Sequence, residues 1–243
     1  NLHFGDNDSN SPPKPLSTDN LAMINWQQID TVLLDMDGTL LDLRYDNYFW
    51  NEYLPDHYAQ LHGLNSIETR KKLVRKFRSQ LGTLEFYCIE HWSEVLGLDL
   101  LPLKKAVNDK IQFLPGAQAL LAHLQSLPLQ SILITNAHLK VLDIKQEVIG
   151  IKDYVDAAYA SHEFGAPKED DSFWPRFQKA HPFNPDKTLF IDDNLAVLNA
   201  AKRFGVQHLV QPLNPDSTQA TICIHEPQSH CQIESLKQLL PVM

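Results

Sequence analysis

The sequence predicts an α/β fold: a doubly wound, mainly parallel sheet with an inserted helical segment. Two observations carry this expectation. Apolar runs at 31–35, 131–135 and 188–191 end in small polar or acidic residues, as strands do when their carboxyl ends line one crevice. Between them lie stretches with apolar residues at threes and fours, and that alternation places helices on both faces of a parallel sheet.

Taken in order, residues 1–20 are polar and proline-rich without a period, and read as a mobile tail. Thr31, Val32, Leu33 and Leu34 open the first strand. From 45 to 113 the pattern is helical, with few turn signals before Gly97 and Pro102, so a helical insertion follows that strand. The insertion is rich in rings: Tyr45, Tyr48, Phe49, Trp50, Phe86, Tyr87 and Trp92. Most suit the core of a small bundle, and one or two facing a cleft would suffice to stack a purine. Asp46 and Asn47, just past the first strand's loop, are better placed for substrate contact, because polar groups have less reason to be buried. The basic run 69–78 reads first as a solvated helix face and second as a patch that steers anions. Further helices are expected at 116–126, 140–149, 170–180 and 195–204, alternating with strands at 131–135, 155–160, 188–191 and 206–210. Beyond Asn214, the run 221–225 alternates two faces like a strand, and 233–240 suggests a closing helix. The expected division is therefore a core of 21–44 and 114–243 around an insertion of 45–113.

Composition limits the function classes. A hydrophobic fraction of 43% supports a real core, and a net charge of −9 argues against a nucleic-acid partner, whose footprint would be basic. No apolar window approaches membrane-spanning length and no charged start leads into a signal core, so the expectation is a cytoplasmic protein with no membrane partner. Cys88, Cys223 and Cys231 are an odd, sparse set, which suits a reducing compartment. Cys223, His225, His230 and Cys231 allow a zinc reading, but they lack a CxxC knuckle and the 221–225 alternation favours a strand.

The chemistry concentrates where the strands end. On an extended segment residues two apart point the same way, so Asp35 and Asp37 face one centre while Met36 turns into the core. One carboxylate can stay ionised and attack; the other, raised by its neighbour's charge, can hold a proton. Gly38 permits a sharp turn that brings following N–H groups toward a phosphate oxygen. A DxDG string by itself also closes hairpins and builds calcium loops. Downstream, however, come Thr135 and Asn136, then Lys168 behind Gly165-Ala166-Pro167, then Asp192 and Asp193, each at or just after a strand-like run. Asn136 and the Asp192-Asp193 pair also read as helix caps, a role compatible with walling an anion pocket.

This ordered set, DMDGT, ILITN, GAPK and FIDD, resembles the four motifs of the haloacid dehalogenase superfamily of aspartyl phosphatases and phosphomutases, over roughly 29–210. The resemblance implies a Rossmann-like core with a helical cap that closes over the site. It implies Asp35 as nucleophile, Asp37 as general acid and base, Thr135 and Asn136 on phosphate oxygens, and Lys168 offsetting charge. Asp35, Asp193 and the Asp37 carbonyl would hold Mg2+, with Asp192 as outer-shell ligand or support. The second aspartate argues against a true dehalogenase, which has no leaving alcohol to protonate. Where many relatives carry a further acid, this chain has Val197. A closer resemblance, carried by DNYFW at 46–50, the 86–100 stretch, TNAH at 135–138, FGAPKED at 164–170 and Asn214 to Ser217, is to the bacterial GMP/IMP 5'-nucleotidases. It implies hydrolysis of a small phosphomonoester, a purine monophosphate such as IMP or GMP. A phosphatase for sugar phosphates or phosphoglycolate, a phosphomutase, and a silent phosphate-binding protein are the alternatives on the same scaffold.

Overall fold

The first strand, β1 (Thr31–Leu34), is buried at every position, so its alternating side chains feed two separate cores. Val32 and Leu34 pack on one face of the sheet; Leu33 packs on the other. This is the pattern of a strand in the middle of a parallel sheet covered on both sides. A computed structural model describes residues 24–221 and 230–241. The expected tail at 1–20 and most of the 221–225 run lie outside these residues.

Among the described residues, β1 joins β2 (Gln130–Thr135), β3 (Ala157–Ala160), β4 (Thr188–Ile191), β5 (His208–Pro212) and β6 (Cys231–Ile233) in the order β3-β2-β1-β4-β5-β6. Every pairing is parallel. The helices α7 (Ala117–Gln125) and α8 (Leu139–Ile149) cover the face that holds Val32 and Leu34. The opposite face packs against α9 (Phe173–Ala180) and α10 (Leu195–Phe204), through Phe173, Trp174, Phe177, Val197 and Leu198. The order in which strands are added to the sheet reverses between β1 and β4, and ligand crevices in doubly wound folds form at that switch point.

Between β1 and α7 the described chain is helical: α1 (Arg44–Tyr48), α2 (Leu54–His62), α3 (Ser66–Arg78), α4 (Leu84–Tyr87), α5 (Ile89–Leu96) and α6 (Leu100–Lys105). A π-helical turn, Phe49–Tyr53, joins α1 to α2 without a break. Its cause is Pro55, which lacks an N–H and whose ring would crowd the carbonyl four residues earlier in a regular helix. The chain enters and leaves this helical segment through adjacent stretches: Asp42 N–H donates to the Gln112 carbonyl and Leu114 N–H to that of Leu40, both at 2.9 Å.

The third strand begins at Ala157 rather than 155 and α9 at Phe173 rather than 170, and two further expectations need correction. The fifth strand begins at His208 rather than 206, because Gly205 adopts φ +115° and the Val206 N–H closes on the Ala201 carbonyl, ending α10 with a cap that consumes those residues. The expected helix over 233–240 is a strand end followed by a 3-10 turn, Leu236–Leu239, since Ile233 pairs with Pro212 and so extends the sheet.

Leu33 has no exposed surface and sits in the middle strand. Leu33→Ala should cost about 2–5 kcal/mol of stability. The measurement is a lowered urea midpoint with an unchanged far-UV circular dichroism spectrum.

Candidate active site

The carboxyl ends of β1 and β4 lie side by side, and the Asp35 N–H donates to the Ile191 carbonyl at 2.9 Å. This register brings Asp35 of the β1 loop against Asp192 and Asp193 of the β4 loop, with carboxylate oxygens of all three within 4.8 Å of one another. Lys168 enters from the loop after β3. Its Nζ donates to Asp35 Oδ1 at 2.5 Å, Asp192 Oδ2 at 2.7 Å and the Ile134 carbonyl at 3.1 Å. The ammonium's donors are all used, and none is left over for a further ligand. Burial pulls the lysine pKa down, but Asp192 and Asp35 outweigh it and hold the group above the usual lysine range.

The carboxylates differ in what satisfies them. Asp192 is bonded at both oxygens, to Lys168 and, through Oδ1, to the Asn194 N–H at 2.8 Å. Asp35 Oδ2 is buried and has no partner. Burial, then the charges of Asp35 and Asp192, push the Asp193 carboxyl well above its ordinary value. An orphaned carboxylate oxygen beside a second, repelled carboxylate is a site short of positive charge. A hard divalent ion, which takes oxygen ligands and needs only one or two carboxylates, fits Asp35 and Asp193, with Asp192 supporting from behind.

Gly38 makes the sharp turn expected of it, and a second constraint also requires a glycine there. Its φ is +89°, and a Cβ there would lie 2.7 Å from the Asp193 carboxylate. The loop amides of Gly38, Leu40 and Leu41 are donated internally, to the carbonyls of Leu41, Met36 and Met36, so they do not point at a phosphate. Thr39, which sequence reasoning passed over, accepts from the Asp193 N–H at 3.1 Å and locks the two acidic loops together.

Thr135 and Asn136 stand at the end of β2 and line the same cavity as the acids. Thr135 Oγ1 accepts from the Ala137 N–H at 3.0 Å. The Asn136 side chain is committed at both ends: its Oδ1 accepts from the Lys168 N–H at 2.9 Å, and its Nδ2 donates to Glu169 Oε2 at 2.7 Å. Asn136 is not the cap of α8; His138 is, with Nδ1 accepting from the Lys140 N–H. Tyr87 Oη, in the helical insertion, donates to the other Glu169 oxygen at 2.8 Å. Glu169 lies within the FGAPKED run at 164–170, and its only sequence signal is its place beside Lys168.

The second acid of the β1 loop, Asp37, is paired with Lys145 of α8. Burial, set against the Lys145 charge, leaves its carboxyl raised to about 7. Lys145 also donates to Asp46 Oδ2 at 2.9 Å, and Lys104 of α6 to Asp46 Oδ1 at 2.5 Å. Asp46 is therefore ion-paired rather than available, and despite burial the two lysines hold it below the usual carboxylate range. The signal for Lys145 was present: it stands four residues after Val141 and three after Leu142, on the apolar stripe of α8. Asn47 donates through Nδ2 to Asp216 Oδ2 at 2.7 Å and lines the same cavity as the acids.

These residues surround a cavity of about 480 Å3 between the sheet and the insertion. Asp35, Asp37, Asp193, Thr135 and Lys168 lie on its lining with Asn47, Trp50, Arg78, Phe86, Tyr87 and Trp92 from the insertion. Of the run 69–78, Val74, Phe77 and one basic residue, Arg78, reach this cavity. Cys88, Glu90 and His138 also gather within 4.8 Å. With Nδ1 accepting a hydrogen bond, His138 carries its proton on Nε2, toward Glu90, and has no lone pair there for a metal. Of the zinc reading, Cys223 and His225 lie outside the described residues, and His230 Nε2 is hydrogen-bonded to Gln211 Oε1 at 2.9 Å. No helix among the described residues is long and apolar enough to cross a membrane.

An acid-bearing β1 loop, a hydroxyl at the end of β2, a buried lysine after β3 and paired acids after β4, converging at the switch point of a doubly wound sheet, define a hydrolase of the haloacid dehalogenase class. A family model described as haloacid dehalogenase-like hydrolase matches residues 29–205, and the chain belongs to that family. It is 37% identical over 218 residues to the GMP/IMP nucleotidase YrfG of Escherichia coli strain K12, spanning 90% of this chain and 97% of that one. The protein of the same name from Shigella flexneri matches equally. Among solved structures, an HAD phosphatase from Thermococcus onnurineus superposes with a TM-score of 0.72 at 19% identity, covering 87% of this chain and 96% of that one, which bears on the fold.

At a concentration 100 times its Kd, a hard divalent ion should stabilise the metal-free protein by about 2.7 kcal/mol. Asp193→Asn and Gly38→Ala should each lose most of that gain, the first by removing a ligand and the second by displacing it. Thermal melts with and without the ion check both.

Proposed function

We propose that this hydrolase is a magnesium-dependent 5'-nucleotidase that releases phosphate from purine nucleoside monophosphates, IMP and GMP foremost. The observation that carries the reading is the orphaned Asp35 Oδ2 beside Asp193, at the floor of a cavity walled by the rings of Trp50, Phe86 and Trp92. A cavity of about 480 Å3 falls in the range for small-molecule sites. The aromatic wall suits a base, and the GMP/IMP nucleotidase name of the curated relatives supports purines.

Phosphate-monoester hydrolysis needs a positioned nucleophile and neutralised charge. Asp35, oriented through Oδ1 by Lys168, attacks phosphorus; the bond from phosphorus to the ribose O5' breaks, and an aspartyl phosphate forms. Asp37 gives its proton to the departing O5'. With its carboxyl raised to about 7, it holds that proton near neutrality in a way an ordinary aspartate does not. Water then attacks the phosphorus, Asp37 takes a proton from it, and the bond to Asp35 breaks to release phosphate. Thr135 Oγ1 and the Asn136 backbone amide are the donors proposed for the non-bridging oxygens. Asp35 and Asp193 would hold Mg2+, which would supply charge neutralisation for the transferring phosphoryl group.

A panel of IMP, GMP, AMP, UMP, phosphoglycolate and hexose phosphates tests the assignment. The expected result is highest kcat/KM on IMP and GMP, abolished by EDTA and by Asp35→Asn. Preference for a sugar phosphate would overturn the substrate class, and absence of turnover on every phosphomonoester would overturn the enzyme reading.

A further inference from the structure

Asp35 and Asp37 are each gripped by a buried lysine, but the two lysines lead to different places. Lys168 carries Asp35 to Asp192 and to the Ile134 carbonyl, all within the sheet and its loops. Lys145 carries Asp37 out of the core. Its Nζ bonds Asp37 Oδ1 and Asp46 Oδ2, and Asp46 Oδ1 accepts from Lys104. The chain Lys104, Asp46, Lys145, Asp37 alternates in sign and crosses from α6 and α1 of the insertion to α8 and the β1 loop. Lys104 and Lys145 have 0% and 1% of their side-chain surface exposed. The Lys104 ammonium also lies 4.6 Å, 4.5 Å and 5.3 Å from the ring centres of Tyr45, Phe49 and Trp50, and the Tyr45 hydroxyl donates to the Lys104 carbonyl at 3.0 Å.

Stability does not explain such a chain, because apolar side chains of similar volume serve a buried site as well as or better than buried ion pairs. What the ions supply is direction. Two charge-assisted bonds fix the Lys145 ammonium, and the ammonium in turn fixes one Asp37 oxygen, leaving the other for chemistry. We propose that Lys145 is a positioning residue for Asp37, and that Asp46 and Lys104 extend its hold into the helical insertion, so that the acid–base carboxylate is set by the insertion while the nucleophile is set by the core alone. This rests on the reading of Asp37 under Proposed function.

The consequence is selective. Disturbing the chain weakens protonation of a poor leaving group and spares attack by Asp35, while breakdown of the aspartyl phosphate, which also uses Asp37, is common to all substrates. Lys145→Met, close in volume and uncharged, is therefore assayed for the single-turnover rate of leaving-group release from IMP and from p-nitrophenyl phosphate, whose phenolate departs without a proton. The release rate on IMP is expected to fall roughly 10- to 100-fold, part of the 10²–10⁴ a positioned acid contributes, with no more than about 3-fold on the aryl ester. Combined with Asp37→Asn, Lys145→Met should cost nothing further, since it acts through Asp37. Asp46→Asn, which keeps the side chain's shape, should shift the ratio of the two activities in the same direction and serves if Lys145→Met fails to fold. Equal losses on both substrates, an unchanged ratio in Asp46→Asn, or additive losses in the double variant would overturn the proposal. Wild-type turnover is measured first: none on any phosphomonoester defeats the enzyme reading itself, whereas turnover with unselective losses defeats only the ion chain.

Discussion

Asp35, Asp37, Asp192 and Asp193 converge at the ends of two neighbouring strands, and their mutual repulsion is the constraint around which the rest of this molecule is arranged. Carboxylates removed from water must be protonated, paired or metal-bound. Two lysines, one on α8 and one in the loop after β3, each neutralise part of the cluster, and a deficit remains at Asp35 Oδ2 and Asp193. The parallel sheet makes the crowding possible. Its switch point places the β1 and β4 ends side by side, and the glycine at 38 lets the first loop close to within contact of the Asp193 carboxylate.

The same constraint links the helical insertion to the chemistry. A cleft roofed only by rings would exclude water but would not align a carboxylate. Here the insertion reaches the core through polar as well as apolar contacts: Asp46 to Lys145, Tyr87 to Glu169, and Glu169 on to Asn136. Asp46, Tyr87 and Asn136 all line one cavity, and in a low-dielectric setting charge-assisted bonds are strong. Under the proposed function, specificity and acid–base geometry share a support. The π-helical turn forced by Pro55 belongs to it, since Asn47, Trp50 and Asn51, in and beside that turn, all line the cavity.

Much of the candidate site could be read directly. Asp35, Asp37, Thr135, Asp192 and Asp193 announce themselves because they stand at or just after the end of an apolar run, where a polar residue has no packing reason to be, and Lys168 by its place behind Gly165-Ala166-Pro167 in the ordered motif set. The bonding of these residues could not be read in the same way. Asn136 looked like a phosphate donor and a helix cap; its side chain is spent on Lys168 and Glu169, and His138 caps the helix. Asp46 looked exposed to substrate, and two lysines from distant sequence claim it. Lys104 and Lys145 stand on helical stripes that otherwise face the core, a departure from pattern that is visible only once charge at an apolar position is treated as information.

What the sequence determined on its own was the alternation of strand and helix, the position of the insertion and the identity of the acids at the strand ends, because these follow from local periodicity and from residues a few positions apart. Tertiary structure decided which charge meets which. Lys168 and Asp35 are 133 residues apart, and Lys145 and Asp37 are 108. Pairings at such separations depend on sheet order and on how helices seat against it, quantities that no local window contains. The terminal segment makes the same point: whether 231–233 continues a helix or adds a strand depended on an open edge at β5, and the edge won.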